Sequence, residues 1–300
     1  MRIGLALGGG GLRGAAHIGV IKVLQENGIT PHMVAGTSAG SIVTALYGAG
    51  LSFAKMEDVF RQITHGWLNY EREAGHNLLG RWSLWKALPL GLLKPKLIER
   101  VLSRAIGNLT FSQLKLPSAI VATDLHTGKG IVYTAKELLP SKDLAGFEFS
   151  CEAKVLEAVG ASIAIPGIFM PVKINNRTLV DGGLVDNVPA DVLRHVGADK
   201  IIAVDLGFDV EQEGPFHNLI EVLLQATDIM GQRISNVILA SNADVVLRPQ
   251  TGSAALWDFN RVPSMVQAGI KEALQRMDEI KATLKGKLSP AHAQAGEHIG

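Results

Sequence analysis

Ser38 is the residue whose setting in the sequence points most directly to nucleophilic chemistry. It lies at the centre of the pentapeptide GTSAG (residues 36–40), after a short apolar run and before a helix-like segment over 41–47. A serine on a strand-to-helix turn of this type is held in a strained backbone conformation with its hydroxyl projecting outward, and the flanking glycines leave room for the adjacent strand and helix. The pattern favours a nucleophile; the alternative is a serine that only caps the helix.

A glycine-rich loop near the N-terminus is suited to stabilising an anion. The sequence GGGGLRG (residues 8–14) lies between a predicted strand over 3–7 and a predicted helix over 15–26. Consecutive amides at a helix N-terminus attract negative charge, and in acyl transfer that charge is the tetrahedral oxyanion. The loop also matches G-x-G-x-x-G, but residues 27–55 contain no carboxylate that could hold a ribose. The oxyanion function is therefore favoured over nucleotide binding, and glycines that serve only close helix–sheet packing are the other alternative.

A serine nucleophile requires a base within hydrogen-bond reach. Asp181 follows a predicted strand over 178–180 and precedes Gly182 and Gly183, so its carboxylate is expected at the same sheet edge as Ser38. An Asp-Gly pair after a strand is often only a turn. Among the nine histidines, His126 in a predicted hairpin turn is the one loop candidate for a histidine-containing triad, which is the less favoured hypothesis.

Four motifs occur in a defined order along the chain, namely GGGLRG (9–14), GTSAG (36–40), ASIAIP (161–166) and DGG (181–183). Together they resemble the motifs of the patatin-like phospholipases, in particular the short bacterial members. The resemblance spans about residues 3–205, and no matching motif follows residue 208.

This resemblance implies a Ser–Asp dyad in which Ser38 attacks an acyl ester and Asp181 takes its proton and later activates water. Gly9, Gly10 and Gly11 would supply the oxyanion amides. The residues implied to support the site are Arg13, Gly36, Gly40, Pro166, Gly182, Gly183 and Asn187. An aspartate of ordinary pKa is a weak base for a hydroxyl, so burial is expected to raise the basicity of Asp181. No cofactor is implied, and no spacing of ligand residues indicates a metal site.

The alternation of strands and helices predicts a single α/β domain over 1–285. The resemblance implies three layers, with a mostly parallel central sheet between two layers of helices. Residues 52–110 interrupt the alternation and are predicted to form a helical, cap-like insertion, while 286–300 lack periodicity and are predicted to be a flexible tail. Hairpins are predicted around 124–130 and 175–176, and one long helix is predicted from residue 263 to 284.

The composition limits which binding partners and which cellular compartment we expect for this protein. With 29 basic and 28 acidic residues the formal net charge is +1, so nothing indicates binding to nucleic acid. The single cysteine, Cys151, excludes an internal disulfide and a thiolate metal site. The first apolar run is too short for a signal peptide, and no stretch reaches the ~18 apolar residues that span a bilayer. We expect a cytoplasmic protein that contacts the inner face of the membrane peripherally.

Residues 66–96 combine three of the four tryptophans with leucines and basic side chains. This composition suits an interfacial surface or a lid over an acyl pocket, although an ordinary cap with a Trp/Leu core fits equally well. The leading hypothesis is a serine ester hydrolase that releases fatty acid from (lyso)phospholipids or related acyl esters. The alternatives are an acyltransferase, a catalytically idle lipid-binding scaffold of the same fold and a nucleotide-binding oxidoreductase.

Overall fold

The structure is a computed structural model, and it describes residues 1–64, 96–142, 144–207, 219–251 and 261–286. The strands in these ranges are β1 (Ile3–Leu7), β2 (Met33–Thr37), β3 (Ser118–Asp124), β4 (Gly130–Thr134), β5 (Phe147–Ser150), β6 (Val172–Ile174), β7 (Arg177–Asp181), β8 (Lys200–Val204) and β9 (Val245–Leu247). The helices are α1 (Ala15–Glu26), α2 (Ala39–Gly48), α3 (53–64), α4 (Lys96–Ile106), α5 (Val155–Ser162), α6 (Ala190–His195), α7 (Leu219–Asn242), α8 (Val262–Gln275) and α9 (Met277–Leu284).

The strands form one sheet in the order β5-β4-β3-β2-β1-β8-β9. Five neighbouring strands of this sheet are mutually parallel, namely β3, β2, β1, β8 and β9. Strand β4 runs antiparallel to β3, and β5 is parallel to β4. Strand β7 pairs antiparallel with both β3 and β6. The predicted mostly parallel sheet is confirmed.

Both faces of the sheet are covered by helices, and the side chains of β1 alternate between them. Leu5 and Leu7 join an apolar cluster with α1, α2, α5 and α8, whereas Ala6 joins a second cluster with Leu193 of α6 and Leu239 of α7. Strands that are buried on two faces require apolar residues at every position, which explains the uninterrupted apolar run of β1. The α/β class with helices on both faces is confirmed.

Helix α8 packs closely on α1, the helix that follows the glycine-rich loop. A Cβ atom on Gly19 of α1 would lie 2.1 Å from the carbonyl oxygen of Val266, and one on Gly269 of α8 would lie 1.9 Å from that of Ala16. Each helix therefore requires glycine where the two backbones touch. Residues 262–275, which carry no recognisable motif, belong to the core that supports the loop.

Several elements differ from the sequence-based prediction. Strand β5 was not predicted, because it is a short, half-buried strand at the sheet edge without apolar alternation. The predicted helix over 263–284 is two helices, α8 and α9, which Arg276 separates with ψ near 6°. Residues 65–95 of the predicted cap and 287–300 of the predicted tail lie outside the described residues, and α3 and α4 flank the first of these gaps. Within the described part of the chain, no helix is long and apolar enough to cross a membrane.

Candidate active site

The sheet brings the candidate nucleophile and base together through a shared neighbour, strand β3. Strand β2 pairs with β3 in parallel as far as Thr37 opposite Val121. Strand β7 pairs antiparallel with β3 from the next position, where Asp181 lies opposite Ala122. The two strands therefore lie end to end along one edge of β3 and point towards each other. Their carboxyl ends meet, which places Ser38 after β2 beside Asp181 at the end of β7.

Ser38 occupies a strained turn between β2 and α2. Its φ of 51° and ψ of −124° lie in a region that favours glycine, and the residue is 7% exposed. Its N–H donates to Oγ of Ser162 at 2.9 Å. Its carbonyl oxygen accepts hydrogen bonds from the N–H of Ser41 at 2.9 Å and from the hydroxyl of Ser41 at 2.6 Å. These bonds hold the conformation that the strand-to-helix turn requires of a nucleophile.

The glycines around Ser38 are required by close backbone packing. A Cβ atom on Gly36 would lie 2.4 Å from the carbonyl oxygen of Gly40, and one on Gly40 would lie 2.0 Å from the carbonyl oxygen of Leu7. A side chain on Gly36 would therefore collide with α2, and one on Gly40 would force the turn away from β1. The GTSAG pattern thus reflects both the turn itself and its contact with the neighbouring strand.

Asp181 is 7% exposed, and its backbone is fixed on both sides. Its N–H donates to the carbonyl oxygen of Ala164 at 3.0 Å, and its own carbonyl oxygen accepts from Oγ1 of Thr123 at 2.9 Å. The Oδ1 atom accepts the N–H of Gly183 at 2.8 Å. Oδ2 receives no hydrogen bond of ordinary geometry from the described residues. One carboxylate oxygen is thus anchored, and the other is available to accept a hydrogen bond.

Burial raises the pKa of Asp181 from 3.8 to about 6. Hydrogen bonding from the Ser38 hydroxyl and from the Gly183 N–H lowers this pKa, but by less than burial raises it, and the nearby negative charge of Asp228 on α7 adds to the rise. The hydroxyl of Ser38 is thus close enough to influence the carboxylate, although it is not aligned for a short hydrogen bond. Catalytic hydrogen bonds are often loose before substrate binds. Asp181 is ionised at neutral pH and is a stronger base than an ordinary aspartate.

The amides of the glycine-rich loop differ in their partners. The N–H of Gly8 donates to Val204 at 3.0 Å, and that of Gly9 donates to the carbonyl oxygen of Asn187 at 3.1 Å. Gly10 and Gly11, with φ values of 151° and 57°, form no hydrogen bond through their N–H groups among the described residues. The sequence grouped Gly9 with Gly10 and Gly11 as oxyanion donors, but the amide of Gly9 is already engaged.

Gly9 instead provides space beside Ser38. A Cβ atom on Gly9 would lie 2.4 Å from Oδ1 of Asn187 and 3.1 Å from Cβ of Ser38. The loop therefore approaches the serine at a point where only hydrogen fits.

Arg13 controls the orientation of the loop. Its Nε atom and its backbone N–H each lie 3.1 Å from the carbonyl oxygen of Gly10, and Nη2 donates to the carbonyl oxygen of Gly207 at 3.1 Å. The side chain is 7% exposed. Because the C=O and N–H groups of a trans peptide point in opposite directions, the bonds to the Gly10 carbonyl turn the N–H of Gly11 away from Arg13.

An apolar cleft opens beside Ser38 and Gly11. Its volume, including the open mouth, is about 600 Å³. The side chains that line it include Leu12, Ile42, Phe60, Ile63, Ile98 and Phe169, which come from five separate parts of the chain. A cleft with this apolar lining suits the hydrocarbon chain of an acyl group.

The sequence did not single out these lining residues. Ile98, for example, belongs with Val101 and Leu102 to the apolar residues of α4 that pack in the core, and it also lines the cleft. Hydrophobic periodicity identifies a buried helix face, but it does not distinguish contact with protein from contact with a ligand.

The remaining residues that the sequence predicted to support the site differ in their burial and in their contacts. Asn187 is buried, and its carbonyl accepts the Gly9 amide. A Cβ atom on Gly182 would lie 2.3 Å from the carbonyl oxygen of Val121. Pro166 is exposed and follows Ile165, which lines the cleft. Ser162, the partner of the Ser38 amide, lies within residues 161–166, which the resemblance implies to line and support the site. The specific hydrogen bond from the Ser38 N–H to the Ser162 hydroxyl was not predicted.

No histidine in the described residues is hydrogen-bonded to Ser38 or Asp181. Nε2 of His17 lies 2.8 Å from the carbonyl oxygen of Gly8, and burial lowers its pKa to about 4, so it is neutral. His126 is exposed and lies 3.2 Å from Oγ1 of Thr178. The described ranges also contain no group of three His, Cys, Asp or Glu side chains arranged to hold a metal ion.

Comparison with protein-family models identifies the family of this chain. A family model described as Patatin-like phospholipase matches residues 5–194, nearly two thirds of the chain. This chain belongs to the patatin-like phospholipase family. The match extends from β1 to the penultimate residue of α6, and so includes the glycine-rich loop, the Ser38 turn and Asp181.

Curated relatives share this region and extend well beyond it. An uncharacterised NTE family protein of Mycobacterium tuberculosis is 32% identical over 205 residues, which cover 68% of this chain and 49% of the relative. The lysophospholipase NTE1 of Mycosarcoma maydis is 32% identical over 69% of this chain and 10% of its own length. The chain thus spans half or less of these patatin-family relatives. Among solved structures, VipD of Legionella pneumophila aligns with 93% of this chain and 66% of its own at 15% identity and a TM-score of 0.45.

Proposed function

We propose that this protein is a serine ester hydrolase that releases fatty acid from lysophospholipids, phospholipids or related acyl esters. The observation that carries the proposal is the juxtaposition of Ser38, in a strained turn, with the buried carboxylate of Asp181 at an apolar cleft. The family membership and the name of the fungal relative support the same class of substrate.

In the acylation step, Oγ of Ser38 attacks the carbonyl carbon of the ester while its proton passes to Asp181. The carbonyl oxygen becomes an oxyanion, which we assign to the N–H groups of Gly10 and Gly11 rather than to that of Gly9. The tetrahedral intermediate collapses, the bond to the alcohol breaks, and the leaving oxygen takes the proton from Asp181. Losing one such donor typically costs about 3–4 kcal/mol of barrier, so the orientation of these amides is decisive.

In the deacylation step, Asp181 takes a proton from a water molecule, whose oxygen attacks the acyl-enzyme. Collapse of the second tetrahedral intermediate breaks the ester bond to Ser38 and returns the proton to Oγ. The raised pKa of Asp181 favours both proton transfers, since a base is most effective when its pKa lies near the working pH. An alcohol in place of water would give acyl transfer at the same site.

The apolar cleft is the proposed place of the acyl chain. The described residues that line it include no charged side chain, so binding there depends on the burial of hydrocarbon. The cap-like insertion, its membrane contact through residues 66–96 and the cytoplasmic location stay predictions. The same is true of the single domain over 1–285.

The test uses an alkyl fluorophosphonate, which phosphonylates an activated serine. We expect the wild-type protein to be labelled at the peptide that contains Ser38 and to hydrolyse p-nitrophenyl esters, whereas Ser38→Ala and Asp181→Asn do neither and remain folded. Ser264→Ala serves as a matched control, since Ser264 is exposed on α8. A folded wild-type protein that neither labels nor hydrolyses, but retains lipid, would contradict the proposal and favour a binding scaffold.

A further inference from the structure

We infer that Asp205 is a positioning residue for the oxyanion donors and that it acts through Arg13. The inference rests on the proposed function and deepens it, because it assigns a role to a carboxylate that lies outside the motifs of the sequence-based site. Asp205 follows β8, the strand that pairs with β1, and Val204 lies opposite Leu7 at the end of that pairing. The turn after β8 and the glycine-rich loop after β1 are therefore neighbours.

The Asp205 side chain shapes this turn. The residue is 6% exposed, and its Oδ1 atom accepts the N–H of Gly207 at 2.9 Å. Its Oδ2 atom accepts Nε of Arg248 at 3.1 Å, and its backbone N–H donates to the carbonyl oxygen of Leu247 at 2.9 Å. Both carboxylate oxygens and the backbone are thus engaged, so the turn over 205–207 is held at three points.

The turn presents a carbonyl group to Arg13. Gly207 has a φ of 67°, and a Cβ atom there would meet no atom within 4 Å, so glycine is required by the backbone conformation and not by space. Its carbonyl oxygen accepts Nη2 of Arg13 at 3.1 Å, while Nε of the same guanidinium donates to Gly10. Because the guanidinium is planar and rigid, fixing one end of it fixes the direction of the other. A displacement of Gly207 is therefore transmitted to the Gly10 carbonyl and to the N–H of Gly11.

Asp244 offers a matched comparison. It is also a buried, ion-paired aspartate beside β8, and it accepts hydrogen bonds from Arg194 at 2.6 Å, from Lys200 at 2.8 Å and from the backbone N–H of Ile201 at 2.8 Å. These contacts lie at the start of β8, at the opposite end of the strand from Asp205. Removing Asp244 perturbs a similar amount of buried charge without reaching the turn at Gly207.

The experiment measures inactivation by an alkyl fluorophosphonate at several concentrations, which separates the maximal inactivation rate from the apparent affinity. We expect Asp205→Ala to lower the maximal rate about tenfold, because the donors are displaced but not removed, and to change the affinity little. Asp205→Asn keeps an acceptor for the Gly207 N–H and should recover most of the rate. Asp244→Ala should lower the melting temperature while the maximal rate stays within about twofold of wild type.

A double-mutant cycle tests whether the effect passes through Arg13. In an Arg13→Ala background, Asp205→Ala should cause little further loss of rate, because the connection is already broken. An undiminished tenfold loss in that background would overturn the inference, as would a wild-type rate for Asp205→Ala alone or an equal loss of rate in Asp244→Ala.

Further outcomes separate a failure of the positioning role from a failure of the proposed function. If Asp205→Ala does not fold, Arg248→Ala takes its place, since it removes the hydrogen bond that holds Oδ2 of Asp205 and thereby loosens the turn. A rate equal to that of wild type would then overturn the inference. If the wild-type protein itself does not react, or if Ser38→Ala reacts equally, the proposed function fails. If the wild type reacts at Ser38 and the Asp205 variants match it, only the positioning role fails.

Discussion

Replacing Asp181 by asparagine should abolish activity and at the same time stabilise the fold at neutral pH. Burial raises the pKa of this carboxyl to about 6 from an ordinary value of 3.8. The folded protein therefore holds the proton more tightly than the unfolded chain does. As pH rises from about 4 to about 6, the unfolded chain releases this proton first, so the free energy of unfolding falls across that interval and stays reduced above it.

The size of the effect follows from the same two values. They differ by about two pH units, and each unit is worth about 1.4 kcal/mol, so ionising Asp181 costs the folded state about 3 kcal/mol above pH 6. The side chain is 7% exposed, so solvent screens little of this cost. Asparagine keeps an oxygen for the Gly183 N–H and carries no charge. We expect Asp181→Asn to be about 3 kcal/mol more stable than wild type at pH 8 and close to it at pH 4.

The assay is urea unfolding of both proteins between pH 4 and pH 8. Asp244→Asn is the control of opposite sign. Burial alone would raise the pKa of Asp244, but hydrogen bonds from Lys200, Arg194 and the N–H of Ile201 bring it below its ordinary value. Its ionised form therefore stabilises the fold, and its replacement should cost stability at pH 8 but less as pH falls. If Asp181→Asn instead lost stability at pH 8 as Asp244→Asn does, the Asp181 carboxylate would be a stabilising group, and the reasoning from burial would be refuted.

Three further predictions concern the turn and the cleft. Gly40→Ala should lower the free energy of unfolding by about 3 kcal/mol or prevent folding, because its Cβ atom would lie 2.0 Å from a β1 carbonyl oxygen. Gly160→Ala in α5, whose Cβ atom would meet only a side-chain oxygen at 3.3 Å, should be neutral or stabilising in the same urea titration, and equal losses would contradict the packing argument. Ser162→Ala leaves the Ser38 N–H without its buried acceptor and should cost about 1–3 kcal/mol. It should also slow fluorophosphonate labelling, and an unchanged labelling rate would show that the turn does not depend on this bond. Ile98→Trp should fill part of the cleft and shift the ratio of turnover from long-chain to short-chain p-nitrophenyl esters; an unchanged ratio would place the acyl chain elsewhere.

The sequence predicted the local features of the site well. The turn around Ser38 depends on five consecutive residues, and its glycines and its position between an apolar run and a helix are visible in the sequence. Alternation of strands and helices predicted the α/β sheet, and the hairpins of β3–β4 and β6–β7 were predicted from their turns. The sequence did not predict β5, because a short edge strand with half-exposed residues carries little periodic signal.

Only the tertiary structure decided which groups are available for chemistry. Strands β2 and β7 end against each other because both pair with β3, and no local sequence pattern encodes that pairing. The raised pKa of Asp181 depends on its burial, and the engagement of the Gly9 amide depends on a carbonyl contributed by Asn187. Turn and helix preferences act over a few neighbouring residues, whereas burial and hydrogen-bond partners are set by strands and loops that are far apart in the chain. The sequence therefore determined the candidate groups, and the fold determined their basicity, their orientation and their access to substrate.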